Sequence, residues 1–271
     1  MKKALSLALA LIMIFSVTVI GFAEENEKLN YLLIGDSIAK GSGILNSDEA
    51  CFGRIVADTN GYNYKNRGVD GFTTDDLNRL LDQSDMIADV AEADIISISI
   101  GGNDFLGKTI FLRMISLVIQ AAFGNLEPSR EIVDKAYENF CSIIGKIKTI
   151  NPDAVILYQT LYAPNYPLVG TQLDIIISIL NDKFRSYLDE NPDAFIVVDV
   201  QAALRGEFGY TALDTIHPNA KGNELIAKEI LKVLKDNGLG ETTVPVINQK
   251  GVSEIALPIW PLLRIFLEYN G

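Results

Sequence analysis

Tyr31-Leu32-Leu33-Ile34-Gly35-Asp36-Ser37 is the stretch on which the fold turns. Four consecutive apolar residues, with no polar alternation, suit a strand covered on both faces. The run stops at Gly35-Asp36-Ser37, a sharp strand-to-helix turn that leaves the Ser hydroxyl exposed at the sheet edge. Similar runs occur at Ile95–Ile100, Ala154–Tyr158 and Phe195–Val200, each followed within a few residues by Gly, Asp, Asn or Pro. Tyr62–Lys65 is a weaker strand candidate, nearer a sheet edge. Between them lie helical patterns near 50–59, 73–91, 105–123, 129–149, 172–190 and 219–237. Strands alternating with helices predict a parallel sheet with helices on both faces, a sheet that binds ligands at the carboxyl ends of its strands.

Composition narrows the function. The chain has 271 residues, 48% of them hydrophobic, enough for one large α/β domain and its core. Its net charge of −12 excludes wrapping of nucleic acid through the overall field, and anionic membrane surfaces would repel it. Two Cys residues, Cys51 and Cys141, do not make a disulfide scaffold or a multi-Cys zinc module, and two buried free thiols are expected. There is one His, His217, so a multi-His metal site is excluded and any imidazole chemistry must use that residue. No internal repeat or low-complexity linker interrupts the chain.

The first residues read as a leader. Met1-Lys2-Lys3 is basic, residues 4–22 carry no charge, and Gly21-Phe22-Ala23 is a small-x-small pattern ahead of Glu24-Glu25. This is the pattern of a signal peptide over residues 1–23, with an uncleaved membrane anchor as the alternative. A secreted or extracytoplasmic protein is therefore expected, with the folded domain over 24–240 and an apolar tail over 241–271.

Four short motifs carry chemistry. Ser37 follows the first strand, and its own N–H near a helix start suits a developing oxyanion. Asn66-Arg67-Gly68-Val69-Asp70-Gly71 follows the second strand candidate, and a free N–H at Gly71 is a second oxyanion donor. Gly101-Gly102-Asn103-Asp104 follows the third strand, and the Asn103 amide is a further donor. Asp214-Thr215-Ile216-His217-Pro218 precedes the last helix; an Asp three residues before a His can fold back onto Nδ1–H and leave Nε2 free as a base. Singly, each has a bland reading: a chance tripeptide, an ordinary turn, a Gly-rich turn with an Asx cap, or a lone loop His. Together they supply a nucleophile, oxyanion donors, a base and its orienter, the complete set for acyl transfer.

These four segments resemble the blocks of the SGNH hydrolases, the GDSL esterase/lipase family, over nearly all of residues 30–238. The resemblance implies a flavodoxin-like three-layer α/β/α fold with a five-stranded parallel sheet, no metal and no cofactor. It implies a Ser37–His217–Asp214 triad, and an oxyanion hole from Ser37, Gly71 and Asn103, with Gly68 as the nearby alternative to Gly71. The first block reads Gly-Asp-Ser-Ile rather than Gly-Asp-Ser-Leu, which keeps the apolar contact. Asp36 and Asp104, beside the catalytic residues, are expected to shape the loops as hydrogen-bond acceptors.

The substrate class is less determined. In 105–123, Thr109, Arg113, Ser116 and Gln120 form one narrow polar stripe, and Asp174, Ser178, Asn181 and Arg185 repeat it in 173–187. The wide apolar faces left over, with Ile255–Phe266 and Trp260 of the tail, suggest an acyl pocket or lid and an acyl or lysophospholipid-like ester; the plainer alternative is that they pack as core. Membrane contact is open, although Arg264 and the tail's prolines argue against a span. The competing substrate is an acetylated cell-wall or plant polysaccharide, for which Tyr162, Tyr166 and Tyr210 are sugar-contact candidates. A non-catalytic extracellular binding protein on the same fold is the remote third reading.

Overall fold

A computed structural model describes residues 28–106, 110–163 and 169–253 of the chain. Five strands, β1 (Asn30–Gly35), β2 (Asn63–Gly68), β3 (Ile95–Ser99), β4 (Val155–Gln159) and β5 (Ile196–Val198), form one sheet in the order β2-β1-β3-β4-β5. Every pairing is parallel. The helices are α1 (Ser37–Lys40), α2 (Ser47–Ala50), α3 (Phe52–Asn60), α4 (Thr74–Leu80), α5 (Ser84–Glu92), α6 (Gly102–Leu106), α7 (Ile110–Ala122), α8 (Glu127–Ile150), α9 (Gly170–Arg185), α10 (Val200–Leu204) and α11 (Ala220–Asp236). A short 3₁₀ turn, Ser186–Asp189, extends α9.

The two-residue period of the strands divides the core. Leu32, Ile34, Ile96, Ile98, Ile156 and Tyr158 pack on one face with Leu77, Val90, Phe140 and Phe184, from α4, α5, α8 and α9. Tyr31, Leu33, Ile95, Leu157 and Val198 pack on the other with Phe52, Val56, Ile226 and Ile230, from α3 and α11. Each such side chain contributes about 1.5–3 kcal/mol by leaving water, so both faces of the sheet must be covered and three layers result. The expected α/β/α architecture with a five-stranded parallel sheet is what forms.

The helical expectations hold with three adjustments. The pattern over 73–91 is two helices, because a tight turn at Leu81–Gln83 ends α4 and a new helix starts at Ser84. The pattern over 105–123 begins as α6 and resumes as α7, with 107–109 outside the described residues. Short helices α1, α2 and α10 have no sequence periodicity of their own. Both thiols are free, but only Cys51 is fully buried; Cys141 is half-buried on α8.

Register aligns the carboxyl ends of the strands. Gly35 stands opposite Gly68 of β2 and opposite Ser99 of β3. The connections after β1, β2 and β3 therefore leave the sheet at one level. The order 2-1-3-4-5 places its topological switch between β1 and β3, where a ligand crevice is expected. Among the described residues no helix is long and apolar enough to cross a membrane. Residues 1–23 and Ile255–Phe266 with Trp260 lie outside the described residues, so the leader and lid expectations are not addressed by the structure.

Candidate active site

Ser37 sits where the sheet edge and α1 meet. Gly35 has φ +140°, and a Cβ there would collide with the Ser99 carbonyl, so only Gly lets β1 turn this close to β3. Asp36, almost fully buried, caps α1: its Oδ1 accepts from the Ile38 N–H at 2.9 Å. The helix thus starts at Ser37. Among the described residues, no hydrogen bond engages the Ser37 N–H.

The candidate base arrives from the far end of the chain. Asp214 Oδ1 accepts from the N–H groups of Ile216 (2.9 Å) and His217 (3.0 Å), which folds the four residues into one turn. Thr215 takes φ +64°, the positive φ of a non-glycine residue that this turn requires. Asp214 Oδ2 then lies 2.5 Å from His217 Nδ1, and His217 Nε2 lies 2.7 Å from Ser37 Oγ. The network assigns the tautomer: Nδ1–H donates to Asp214, and Nε2 accepts from the Ser37 hydroxyl. Burial disfavours the charged ring, but Asp214 and then Asp36 and Asp70 outweigh it and raise the His217 pKa above its ordinary value. Burial works against the Asp214 carboxylate too, yet its bond to His217 holds the pKa below the usual range. Asp36 behaves differently: burial pushes it up to about 7.

The oxyanion candidates separate by geometry. The Gly68 N–H donates to Asn66 Oδ1 at 2.8 Å, and a Cβ on Gly68 would collide with the backbone of Ala39 and Lys40. Gly68 is therefore a close-packing residue. Asn66 also donates from Nδ2 to the Ala39 carbonyl at 2.9 Å, so β2 and α1 are stitched together. Gly71 is exposed, takes φ +77°, and has open space where a Cβ would stand. Its neighbour Asp70 accepts from Ser42 Oγ at 2.6 Å and pairs with Lys40, which draws the Gly71 turn toward the Ser37 helix. Asn103 lies in the first turn of α6, and its Nδ2 donates to the Phe72 carbonyl at 2.9 Å, one residue from Gly71, leaving the second amide hydrogen available. Asp104 accepts from the Thr74 N–H (3.1 Å) and hydroxyl (2.7 Å), fastening α6 to the start of α4. Burial raises its pKa. Asp36 and Asp104 are thus the loop-shaping acceptors expected of them.

Several braces were not visible in the sequence. The Tyr162 hydroxyl donates to the Ile216 carbonyl at 2.6 Å, and the Tyr210 hydroxyl to the Ala163 carbonyl at 3.0 Å. Both rings are buried and meet edge to face. They are therefore not sugar contacts, since their hydroxyls are engaged and their faces covered; Tyr166 lies outside the described residues. The polar stripe of α9 is likewise turned inward. Asn181 is fully buried and bonds Leu161 through both backbone groups, while Gln201 joins it to Asp174 and Ser178. Nothing but distant pairing explains that use, so local periodicity could not show it. The Gly41-Ser42-Gly43 pair after Ser37 was a signal of close backbone approach that the motifs overshadowed. Among the described residues no cluster of three or more His, Cys, Asp or Glu is placed to hold a metal ion.

Known proteins resemble this chain in sequence and in fold. The model of the GDSL-like lipase/acylhydrolase family matches residues 33–225. A Bacillus subtilis protein of uncharacterized function, YpmR, is 26% identical over 229 residues, covering 80% of this chain and 85% of its own. Among solved structures, a lipase from a goat rumen metagenome superposes with a TM-score of 0.63 at 23% identity, over 79% of this chain and 99% of that one. A variant of an acetyl xylan esterase from Geobacillus stearothermophilus gives 0.54 at 19% identity, over 79% and 96%. At these identities the structural likenesses speak for the fold.

Proposed function

Since the chain belongs to the GDSL-like lipase/acylhydrolase family, we propose that this carboxylic ester hydrolase works through Ser37, His217 and Asp214 and an acyl-enzyme intermediate. The observation that carries the proposal is the hydrogen-bonded series Asp214 Oδ2, His217 Nδ1, His217 Nε2, Ser37 Oγ, with spacings of 2.5 and 2.7 Å at its two links. As Ser37 Oγ attacks the ester carbonyl, its proton passes to His217 Nε2. Asp214 stabilises the imidazolium and holds its tautomer. The carbonyl oxygen, now negative, is met by the N–H groups of Ser37 and Gly71 and the free amide hydrogen of Asn103. His217 returns the proton to the departing alcohol, leaving the acyl group on Ser37. Water, deprotonated by the same Nε2, then releases the acid and restores the serine.

An acyl ester with an apolar chain is the favoured substrate. Leu117 of α7 is buried, and Met114, Val118 and Ala121 pack on the core, but Ile115 and Ile119 of the helix and Phe123 in the turn just past its end stay exposed. Phe123 is 87% exposed. This helix follows α6, which carries Asn103, so an unburied apolar stripe runs outward from the site's own connection. We also propose export of the enzyme, on the basic start, apolar run and small-x-small pattern of residues 1–23.

The test is kcat/KM on p-nitrophenyl esters from acetyl to dodecanoyl, with Ser37→Ala as control. A chain-binding surface changes transition-state binding by roughly 1–3 kcal/mol per methylene where the fit is close, so the series must rise with length. A sharp acetyl preference would instead favour an O-deacetylase of acetylated polysaccharide. Wild-type rates in Ser37→Ala would refute the mechanism.

A further inference from the structure

Ser37 and His217 are brought together by opposite ends of the chain, and the segment that follows each one runs on beside the other. Gly43, six residues after Ser37, has φ +107° and lies against the His217 segment: a Cβ there would stand 2.5 Å from the Pro218 carbonyl oxygen and 2.9 Å from the His217 Cβ. A third segment closes over this junction. After α11 the chain runs back across α3, where Val246 N–H bonds Thr59 Oγ1 and Asn248 bonds Asp58. It ends against the connection between α1 and α2. Leu45 N–H donates to the Val252 carbonyl at 2.8 Å, Val252 N–H donates to Asn46 Oδ1 at 2.8 Å, and Asn46 Nδ2 donates to the Lys250 carbonyl at 3.2 Å. Ile44 and Ser253 form an antiparallel bridge. Gly251 is wedged between the two sides: a Cβ there would come 3.1 Å from the Ala220 Cβ and 3.4 Å from Ile44 Cγ2.

We propose that residues 250–253 are a positioning strap that bolts the segment after the nucleophile to the segment after the base, and so sets the Ser37–His217 contact. The proposal rests on the Ser–His–Asp reading above. The strap lies outside the stretch 33–225 that matches the family model, so it is a feature of how this chain finishes its site. Asn46 is its fastener: the side chain makes no bond to the helix it precedes, and both of its polar ends go to the strap. Ala220 is the first residue of α11, and His217 stands just ahead of it, so a wedge that holds Ala220 against Ile44 limits how far His217 can swing from Ser37.

The experiment uses Asn46→Ala, Gly251→Leu and chains ending at Gly240 or at Ser253. Three readouts are kcat and KM on p-nitrophenyl acetate, the melting temperature, and the NMR titration of the imidazole, which is unambiguous because the chain has one His. Asn46→Ala, Gly251→Leu and the chain ending at Gly240 should lose about tenfold or more in kcat with KM changed by less than about twofold, since small misplacements of a base are costly. Their His217 titration should move down from its raised value as the contacts to Asp214, Asp36 and Asp70 loosen. The chain ending at Ser253 keeps the strap and should match wild type. A fall in melting temperature alone, with kcat and the imidazole titration unmoved in Asn46→Ala and Gly251→Leu, would overturn the strap's role. So would an equal loss in the chain ending at Ser253, because the effect would then reside beyond the strap. Failure of the triad reading shows itself separately, as activity in Ser37→Ala, while the imidazole titration still reports on the strap.

Discussion

The hydroxyl of Tyr162 donates to the backbone carbonyl of Ile216 at 2.6 Å, tying the segment that follows β4 to the residue just ahead of His217. The turn it braces contains Thr215 at positive φ, a conformation that costs roughly 1–2 kcal/mol for a residue with a Cβ. Tyr162→Phe keeps the ring against Tyr210 and removes only the hydrogen bond, a net loss of about 1 kcal/mol. We expect kcat to fall by roughly fivefold to tenfold with KM unchanged, if that loss is expressed as disorder of the His turn. Steady-state kinetics beside Tyr210→Phe check it; an unchanged kcat in Tyr162→Phe would mean the turn holds itself.

The oxyanion donors predict a graded series. Ser37→Ala and His217→Ala should abolish turnover. Asn103→Ala removes one donor and should lower kcat by about 10²–10³ without abolishing it. Because Asn103 also bonds the Phe72 carbonyl, Asn103→Asp is a useful companion: it can no longer donate and should be as slow. Single-turnover acylation rates separate these variants.

His217 must be neutral to take the proton from Ser37. Its pKa is raised in the fold, so activity should rise with pH through a midpoint above the ordinary 6.5. Asp214→Asn removes the main stabiliser of the imidazolium and should lower that midpoint as well as kcat. For His217 the linkage to stability runs opposite to activity. The raised His217 pKa stabilises the fold fully below the unfolded value, and that contribution disappears as pH rises through the folded one. The lowered Asp214 pKa contributes above 3.8 and is lost as pH falls through its folded value. Melting temperatures of wild type and Asp214→Asn from pH 3 to 9 test both limbs.

Asp36 has the opposite leverage. Its pKa is raised from 3.8 to about 7 by burial, so the folded state holds a proton that the unfolded chain has already lost. Stability should therefore decline as pH climbs between those values. Asp36→Asn keeps an acceptor for the Ile38 N–H but carries no charge. We expect it to melt at higher temperature than wild type at pH 8 and at nearly the same temperature at pH 4, with the His217 midpoint displaced downward. A wild-type melting curve at pH 8 would show that the buried carboxyl is not strained.

Gly68 and Gly71 should respond differently to a methyl group. Gly68→Ala forces a Cβ into the backbone of Ala39 and Lys40, an overpacking that costs typically 1–3 kcal/mol and displaces α1. Gly71→Ala meets no neighbour, and its positive φ alone costs roughly 1–2 kcal/mol. Thermal denaturation together with kcat distinguishes the two, since Gly68→Ala should impair both.

The sheet was legible because its strands are apolar runs stopped by turn residues, and Tyr31–Ile34 shows both faces covered even as plain sequence. The hydrogen-bonded series Ser37–His217–Asp214 was legible because Gly35-Asp36-Ser37 and Asp214-Thr215-Ile216-His217 are local motifs whose geometry follows from short spacing. What stayed hidden depends on partners far away in the chain. The stripe Asp174, Ser178, Asn181 looks like a solvated face, yet Gln201 and the Leu161 backbone draw it inside. Tyr162 looks like any surface aromatic until Ile216 arrives 54 residues later. The break at Leu81–Gln83 has no Gly or Pro to announce it. The choice between Gly71 and Gly68 needed the backbone of α1, which no spacing reveals.

The hydrogen bond between His217 and Ser37 joins residues 180 positions apart, and this has a consequence for the growing chain. Translation at about 5–20 residues per second leaves the nucleophile waiting about 10–40 s for its base. Throughout that interval the chain already holds its serine and carries no imidazole, so under the proposed mechanism it cannot cleave the esters of the cell that makes it. On that mechanism hydrolysis becomes available only when the closing turn docks, which makes onset of activity a reporter of the last step of assembly rather than of the first.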